Sequence, residues 1–327
     1  METLIRSFLL GQGCVHAKPE VRFLAAGEYN QNFLVESGGR RLVFRINHGS
    51  QLGLDDQIGY EFNVLRCVAP SGVTPKPLFV HAGPNPFGGG VMLMEWLPGG
   101  PLDYGRDLER AAEVFARIHA LPPCPGLLTQ ADPVAAIAAE SLALIERYPG
   151  HTLTRQRAIL LDYHERIVRL GEDNRTHFAA DRPCVVNTEV NSGNFLIGPE
   201  GAFLVDWEKA VVSSRHQDLG HFLAPTTTLW RTETVLAPER KAAFLGAYHA
   251  ALPDAPPFEE MAGLCSVMQR AVVLRGLSWC FMAHHEYEHA DRALTSDLTR
   301  EKIRLYMRDM RRIIDSLVGD SLSASLP

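Results

Sequence analysis

The sequence has no uncharged apolar run near the roughly 20 residues that a helix needs to cross a bilayer, so no membrane-spanning role is expected. It has no block of like charge: 32 Lys and Arg against 38 Asp and Glu leave a net charge of -6. Nucleic-acid-binding surfaces carry clustered Lys and Arg, so nucleic acid is not an expected partner. No internal repeat is evident. There is also no C-x-x-C pair. The six cysteines, Cys14, Cys67, Cys124, Cys184, Cys265 and Cys280, are scattered among mostly apolar neighbours such as Val68, Val185 and Trp279. They read as buried free thiols rather than disulfides or zinc ligands. That implies a reducing, cytoplasmic compartment. Met1 to Leu10 places Arg6 in a short apolar stretch without a small-residue cleavage signal, and reads as a short helix rather than a secretion signal.

What is present is ordinary globular composition, 46% hydrophobic and 21% charged, which excludes wholesale disorder. A chain of 327 residues exceeds one small core and suits two lobes. Residues 1–97 alternate short apolar strands with turn residues. Phe23 to Ala25, Phe33 to Val35, Leu42 to Ile46, Phe79-Val80 and Val91 to Met94 read as strands, with Ser37-Gly38-Gly39 turning a hairpin. Between the third and fourth, Ile58, Phe62, Leu65 and Val68 recur at helical spacing until Pro70-Ser71-Gly72 stops them. Leu97-Pro98-Gly99-Gly100-Pro101 is the strongest boundary. Beyond it, in residues 98–327, helical patterns dominate, with apolar faces at Leu108 to Ile118 and further helices over about Pro133 to Arg147 and Arg155 to Phe178. A β island breaks in at Cys184 to Val186, Phe195 to Ile197 and Phe203 to Val205. Only the tail from Gly319 to Pro327 looks low in complexity.

The β island carries the chemistry. Glu189 sits in a polar loop after an apolar strand, Asn194 opens the next strand, and Asp206 closes the following hairpin with Glu208 two residues on. A path that folds back on itself would bring Glu189, Asn194 and Asp206 to one end of the hairpin. An amide oxygen and a carboxylate suit a hard Mg²⁺ ion. Phosphoryl transfer needs such a metal site, a held nucleotide and a carboxylate near the attacking hydroxyl.

Asn187-Thr188-Glu189-Val190-Asn191-Ser192-Gly193-Asn194-Phe195-Leu196 resembles the H-G-D-x-x-x-x-N catalytic loop of the aminoglycoside phosphotransferase and choline kinase families. Val205-Asp206-Trp207-Glu208 resembles their I-D-W-E metal motif. Phe115 to Pro122 is similar to their L-x-x-L-H-x-L-P helix end, Met94-Glu95-Trp96-Leu97-Pro98-Gly99 to the hinge that meets adenine, and Asp218-Leu219-Gly220 to the D-L-A/G after the metal motif. The pieces occur in the family's order, from about residue 20 to 310. The resemblance implies an α+β, two-lobed protein-kinase-like fold: a small β-sheet N-lobe over residues 1–97 and a mostly helical C-lobe over 98–327. It implies ATP or GTP and Mg²⁺ as cofactors. Asn194 and Asp206 would hold the metal and Glu189 would be the catalytic base. Gly27 to Asn32, with Asn30, would cover the phosphates. Arg45 would grip them, Glu61 would brace Arg45, and Glu95, Trp96 and Leu97 would meet the base. The partner would be a small-molecule hydroxyl acceptor, and the protein a monomer or homodimer.

Two positions depart from the family pattern: Glu189 replaces its Asp, and Asn187 its His. A nucleotide-binding protein that transfers phosphate weakly or not at all is therefore the alternative reading. A third comes from His285-Glu286-Tyr287-Glu288-His289, which matches the H-E-x-x-H zinc peptidase motif but lacks an evident third ligand. Under the kinase reading, Glu286 or Glu288 would instead line the acceptor pocket and leave a cationic acceptor open.

Overall fold

The computed structural model describes residues 1–27, 29–289 and 297–317; the tail expected to be low in complexity lies outside the described residues. The first part of the chain is an antiparallel sheet. Strands β1 (Glu20–Ala26), β2 (Asn30–Ser37), β3 (Arg40–Asn47), β4 (Pro77–His81) and β5 (Gly90–Glu95) lie in the order β1-β2-β3-β5-β4. Gly38 and Gly39 join β2 to β3 with φ of 57° and 76°, and Ser37 faces Arg40 across the turn. A two-residue turn of that hand matches strand twist and costs glycine little.

Helices α1 (Glu2–Gly11) and α2 (Gln57–Val68) cover opposite faces of the sheet. Leu42, Phe44 and Ile46 pack with Ile5 and Leu9 of α1. Val43 packs with Ile58, Val64 and Leu65 of α2. Side chains alternate along a strand, so Arg45 shares Val43's face and is aimed at α2. That parity places a cation beside a helix that carries Glu61.

The remainder is mostly helical: α3 (Leu108–His119), α4 (Pro133–Glu146), α5 (Thr154–Ala180), α6 (His216–Leu223), α7 (Pro225–Arg231), α8 (Pro238–Ala251), α9 (Phe258–Glu288) and α10 (Asp297–Asp315). Helix α9 is apolar around most of its circumference because α4, α5, α6 and α10 surround it. Helix α6 lies so close to α9 that a Cβ on Gly220 would meet the Cβ of Met268 at 2.7 Å and the backbone N of Gln269 at 2.9 Å. Glycine there lets α6 dock, and docking fixes Asp218 two residues earlier. No helix among the described residues is long and apolar enough to cross a membrane.

Two short ribbons interrupt the helices. β6 (Cys184–Val186) pairs with β9 (Val211–Ser213), and β7 (Phe195–Gly198) with β8 (Gly201–Leu204). Strand β9 was not expected from the sequence. Val211 to Ser213 is too short to show a period, and it becomes a strand because β6 lies beside it.

The expectation of free thiols is corrected at one pair. Cys67, near the end of α2, forms a disulfide with Cys124 beyond α3, with Cα atoms 5.9 Å apart. Cys14, Cys184, Cys265 and Cys280 are free. Sequence spacing could not show the pairing, because the two partners meet only when α2 lies along the segment after α3. Nearer the start of α2, the Tyr60 hydroxyl donates to the Ala210 carbonyl at 2.7 Å and accepts from Leu128 N at 3.2 Å. Helix α2 is thus fastened to the helical part at both ends.

Cross-linking positions separated by 57 residues restricts the unfolded chain. In the loop-entropy account this is worth about 4 kcal/mol. The double variant Cys67→Ala, Cys124→Ala is expected to lose stability of that order in urea unfolding. Reductant should shift the parent protein toward the variant's midpoint and leave the variant unmoved; equal midpoints without reductant would refute the link.

Candidate active site

Between β6 and β7 the chain runs through a loop that the protein holds by its backbone. Asp218, fully buried on α6, accepts from Asn187 N at 2.9 Å and Thr188 N at 2.8 Å. Its Oδ2 also lies 3.2 Å from His119 Nε2, and His119 Nδ1 meets the Tyr248 hydroxyl at 3.0 Å. Thr188 has φ 72°, a conformation that a β-branched residue disfavours. Besides Asp218, two further contacts hold it there: Arg275 donates to its carbonyl at 2.7 Å, and its hydroxyl donates to the Lys209 carbonyl at 3.1 Å. Asp206, with φ 68°, is the other non-glycine residue of positive φ among the described residues. Strained backbone of this kind persists where the surroundings over-determine it, commonly at functional sites.

Asn187 links the two strained positions. Its Nδ2 donates to the Asp206 carbonyl at 2.7 Å, and its Oδ1 accepts from Glu189 N at 3.3 Å. An amide supplies a donor and an acceptor at once. The residue that departs from the family's His therefore ties the loop to the end of the hairpin.

The hairpin brings Asn194 and Asp206 to one end, and Glu189 is linked to that end through Asn187 and Lys209. Val205 N donates to the Asn194 carbonyl at 2.8 Å, so Asn194 and Asp206 share one end of the β7-β8 ribbon. Asn194 is nearly buried, and its side-chain amide makes no hydrogen bond among the described residues. The Asp206 side chain is 44% exposed and that of Glu189 is 40% exposed. Glu189 Oε1 accepts from Lys209 Nζ at 2.8 Å.

Arg45 joins the sheet to this hairpin. Its Nη1 pairs with Glu61 and lies 3.3 Å from Asp206 Oδ1, while Nε donates to Asn32 Oδ1 at 2.9 Å. Burial works against the guanidinium charge, but Glu61 and Asp206 outweigh it and hold the Arg45 pKa above its ordinary value. Asn30 donates to Glu208 and accepts from Asn47 at 2.8 Å. Glu208 also accepts from Gln51 at 3.2 Å, and its backbone carbonyl from Gln57 at 2.8 Å. Burial pushes the Glu208 carboxyl up to about 7, helped by its neighbours Asp206 and Glu61. Three carboxylates crowd one guanidinium here.

The expected phosphate loop is shorter than the sequence suggests. Asn30 to Asn32 already belong to β2, paired with Asn47 to Arg45, and Glu28 lies outside the described residues. At the hinge, Glu95 pairs with Leu42, Trp96 packs under Arg41 at 3.7 Å, and Leu97 is half-buried. The chain then meets the hairpin itself: Gly100 N donates to the Ile197 carbonyl at 3.1 Å and Ile197 N returns a bond at 2.7 Å. Gly99, with φ 138°, passes so near β7 that a Cβ would lie 2.7 Å from the Leu196 carbonyl carbon.

Among the described residues, the His-Glu-Tyr-Glu-His stretch does not form a zinc centre. His285 and His289 stack ring on ring at 4.0 Å, and Tyr148 stacks on His285 at 4.2 Å. Glu286 accepts from the Tyr148 hydroxyl at 2.9 Å and lies 3.7 Å from Arg147. Among the described residues no three His, Cys, Asp or Glu side chains gather to hold a metal. Glu288 pairs with Arg304 at 3.3 Å, so both glutamates considered for a cationic acceptor have protein partners. Sequence reasoning missed Lys209 and Arg275. Lys209 had a signal, three residues past Asp206 at the hairpin's exit. Arg275 had none, since it reaches Thr188 only through the docking of α9.

Replacing Asp218 by Ala would strip two buried backbone N–H groups of their acceptor. Each such loss costs about 1–3 kcal/mol, so Asp218→Ala is expected to lose at least about 2 kcal/mol in denaturant unfolding. Asp218→Asn, which keeps an acceptor, should lose less. Indifference to both changes would show that the loop is held by other means.

The sequence profile of the phosphotransferase enzyme family matches residues 20–264. Among solved structures, a spectinomycin phosphotransferase in complex with ADP and spectinomycin aligns with TM-score 0.62 and 12% identity, over 98% of this chain and 99% of that one. An ethanolamine kinase from Plasmodium vivax aligns with TM-score 0.67 and 11% identity, over 96% and 89%. A choline/ethanolamine kinase family protein from Mesorhizobium loti aligns with TM-score 0.65 and 17% identity, over 98% and 99%. No curated protein matches significantly. At such identities the solved structures speak for the fold, which is kinase-like, and the profile speaks for descent: the chain belongs to the phosphotransferase enzyme family, whose fold here is that of small-molecule kinases.

Proposed function

We propose that the protein transfers the γ-phosphate of ATP or GTP to a hydroxyl of a small molecule in a Mg²⁺-dependent reaction. The observation that carries this reading is that Arg45, paired with Glu61, reaches Asp206 at the end of the hairpin where Asn194 also lies, with Glu189 held nearby by Lys209. Solved relatives of the same fold hold ADP with spectinomycin, or AMP-PNP with hygromycin B, which supports a nucleotide and a small-molecule acceptor. On this reading residues 1–97 form the nucleotide lobe, with the base along Glu95, Trp96 and Leu97. Residues 98–327 form the catalytic and acceptor lobe.

Arg45 would grip phosphate oxygens, for which a guanidinium's paired N–H groups are suited. Glu61 holds it by the buried ion pair, and Asn30 stands at the start of β2 beside Glu208. The residues present fit a magnesium ion. Asn194 offers an amide with no hydrogen-bond partner among the described residues, Asp206 a half-exposed carboxylate, and Glu208 is pushed up partly by its carboxylate neighbours, a crowding that a dication would relieve. Bound there with nucleotide phosphates, Mg²⁺ supplies charge neutralisation for the transferring group. Glu189 is the base for the acceptor hydroxyl. Its side chain is one methylene longer than Asp, and Lys209 fixes where the extra reach ends.

Thermal unfolding with ATP or GTP, each with and without Mg²⁺, tests the nucleotide site. Ligand at about a hundredfold excess over Kd stabilises by about 2.7 kcal/mol. A Mg²⁺-dependent rise that disappears in Asp206→Ala is expected; no rise with either nucleotide would overturn the reading.

Removing the base tests turnover separately. Glu189→Gln should leave nucleotide-induced stabilisation intact and lower acceptor-dependent ADP release by about 10²–10⁴-fold. Unchanged release would remove Glu189 from catalysis. Absence of any release in the parent protein across acceptors would favour the nucleotide-binding alternative, which Glu189 and Asn187 motivate.

A further inference from the structure

Charge is divided unequally across the candidate site. On the nucleotide side, Glu61, Asp206 and Glu208 surround one cation, Arg45. On the other side of the catalytic loop the balance reverses. Lys209 meets Glu189 at 2.8 Å. Arg275 donates to the carbonyl of Thr188, the residue just before Glu189. Arg231, exposed at the end of α7, brings its Nε to 4.0 Å from the position of a Cβ on Gly193 in the same loop. The docking that produces this arrangement is specific, because α7 packs on both α9 and the Ser192–Asn194 turn. Among the described residues neither Arg231 nor Arg275 pairs with a carboxylate. Three cations therefore flank the loop against one carboxylate, Glu189, which Lys209 already engages. His221 registers the same field: it accepts from Arg275 at 2.7 Å as a neutral ring, and burial, Arg275 and Lys209 all push its pKa well down.

We propose that the phosphate acceptor is an anion, a hydroxy compound whose carboxylate or phosphate group is bound by Arg275 and Arg231 beside the hydroxyl that Glu189 receives. This deepens the kinase reading and rests on it. A cationic acceptor would have to displace or neutralise this charge, and Glu286 and Glu288 do not compensate, since Tyr148, Arg147 and Arg304 engage them. An anion instead completes it. Guanidinium groups recognise carboxylate and phosphate oxygens in paired fashion, and a site lined by one sign of charge concentrates ligands of the other. Lys209 is a positioning residue here: it pins Glu189 by the 2.8 Å contact.

The test fills the γ-phosphate position first, so that an added anion cannot bind there. The protein is saturated with Mg²⁺ and a non-hydrolysable ATP analogue. Thermal unfolding is then followed with D-glycerate, glycerol 3-phosphate, glycerol or choline at matched ionic strength. The expected result is a further rise in midpoint with at least one of the two anions, larger than with glycerol or choline. D-glycerate and glycerol 3-phosphate tell a carboxylate from a phosphate. That rise should vanish in Arg275→Gln and also in Arg231→Glu, an exposed change that does not threaten folding. If the analogue itself fails to raise the midpoint, the kinase reading falls and this inference with it. If the analogue protects but choline or glycerol protects as well as both anions, the inference alone is overturned. The same holds if neither anion protects, or if protection survives in both variants.

Discussion

The guanidinium of Arg45 is the constraint on which the rest of the site depends. It is a nearly buried cation on a strand, and a buried charge is tolerated only with partners. Those partners come from three places: Glu61 from helix α2, Asp206 from the hairpin, and Asn32 from the neighbouring strand. Satisfying one charge therefore fixes the sheet, the helix and the hairpin relative to one another. The remaining contacts between the parts follow this tie. Asn30, Gln51 and Gln57 all reach Glu208, two residues from Asp206, and Tyr60 reaches Ala210.

A second anchor, Asp218, shapes the loop that carries Glu189. Its two oxygens accept consecutive backbone N–H groups and so force the turn at Thr188, whose positive φ points Glu189 away from β6 and toward Lys209. Gly220 is the reason Asp218 can reach that far, since a side chain there would hold α6 off α9. The departures from the family pattern become intelligible in this frame. Asn187 does its work through two hydrogen bonds that an amide can make at once, and Glu189 gains reach that a lysine then limits.

Much of this was legible in the sequence because it is local. Strand alternation around Arg45, the helical spacing of Ile58 to Val68, the Gly38-Gly39 turn and the order of motifs from Met94 to Gly220 all rest on neighbours in the chain. The β7-β8 hairpin folds back on itself, so the sharing of one end by Asn194 and Asp206 could be anticipated. What escaped depends on tertiary packing. Cys67 finds Cys124, and Arg275 finds Thr188, only after separate helices dock. Val211 to Ser213 forms a strand only because β6 lies alongside. The H-E-x-x-H match misled for the complementary reason: helical spacing put two histidines on one face, but their rings stack and no third ligand joins them among the described residues.

The central claim is that Glu61 acts on nucleotide through Arg45, not independently. A double-mutant cycle measured by calorimetric titration of Mg²⁺–ATP tests it most directly. Losing a charge-assisted grip on phosphate should weaken binding about 10- to 100-fold in Arg45→Met. Glu61→Gln should weaken it less, and the double variant should bind about as well as Arg45→Met alone. Losses that multiply in the double variant would show two independent contributions and would contradict the account.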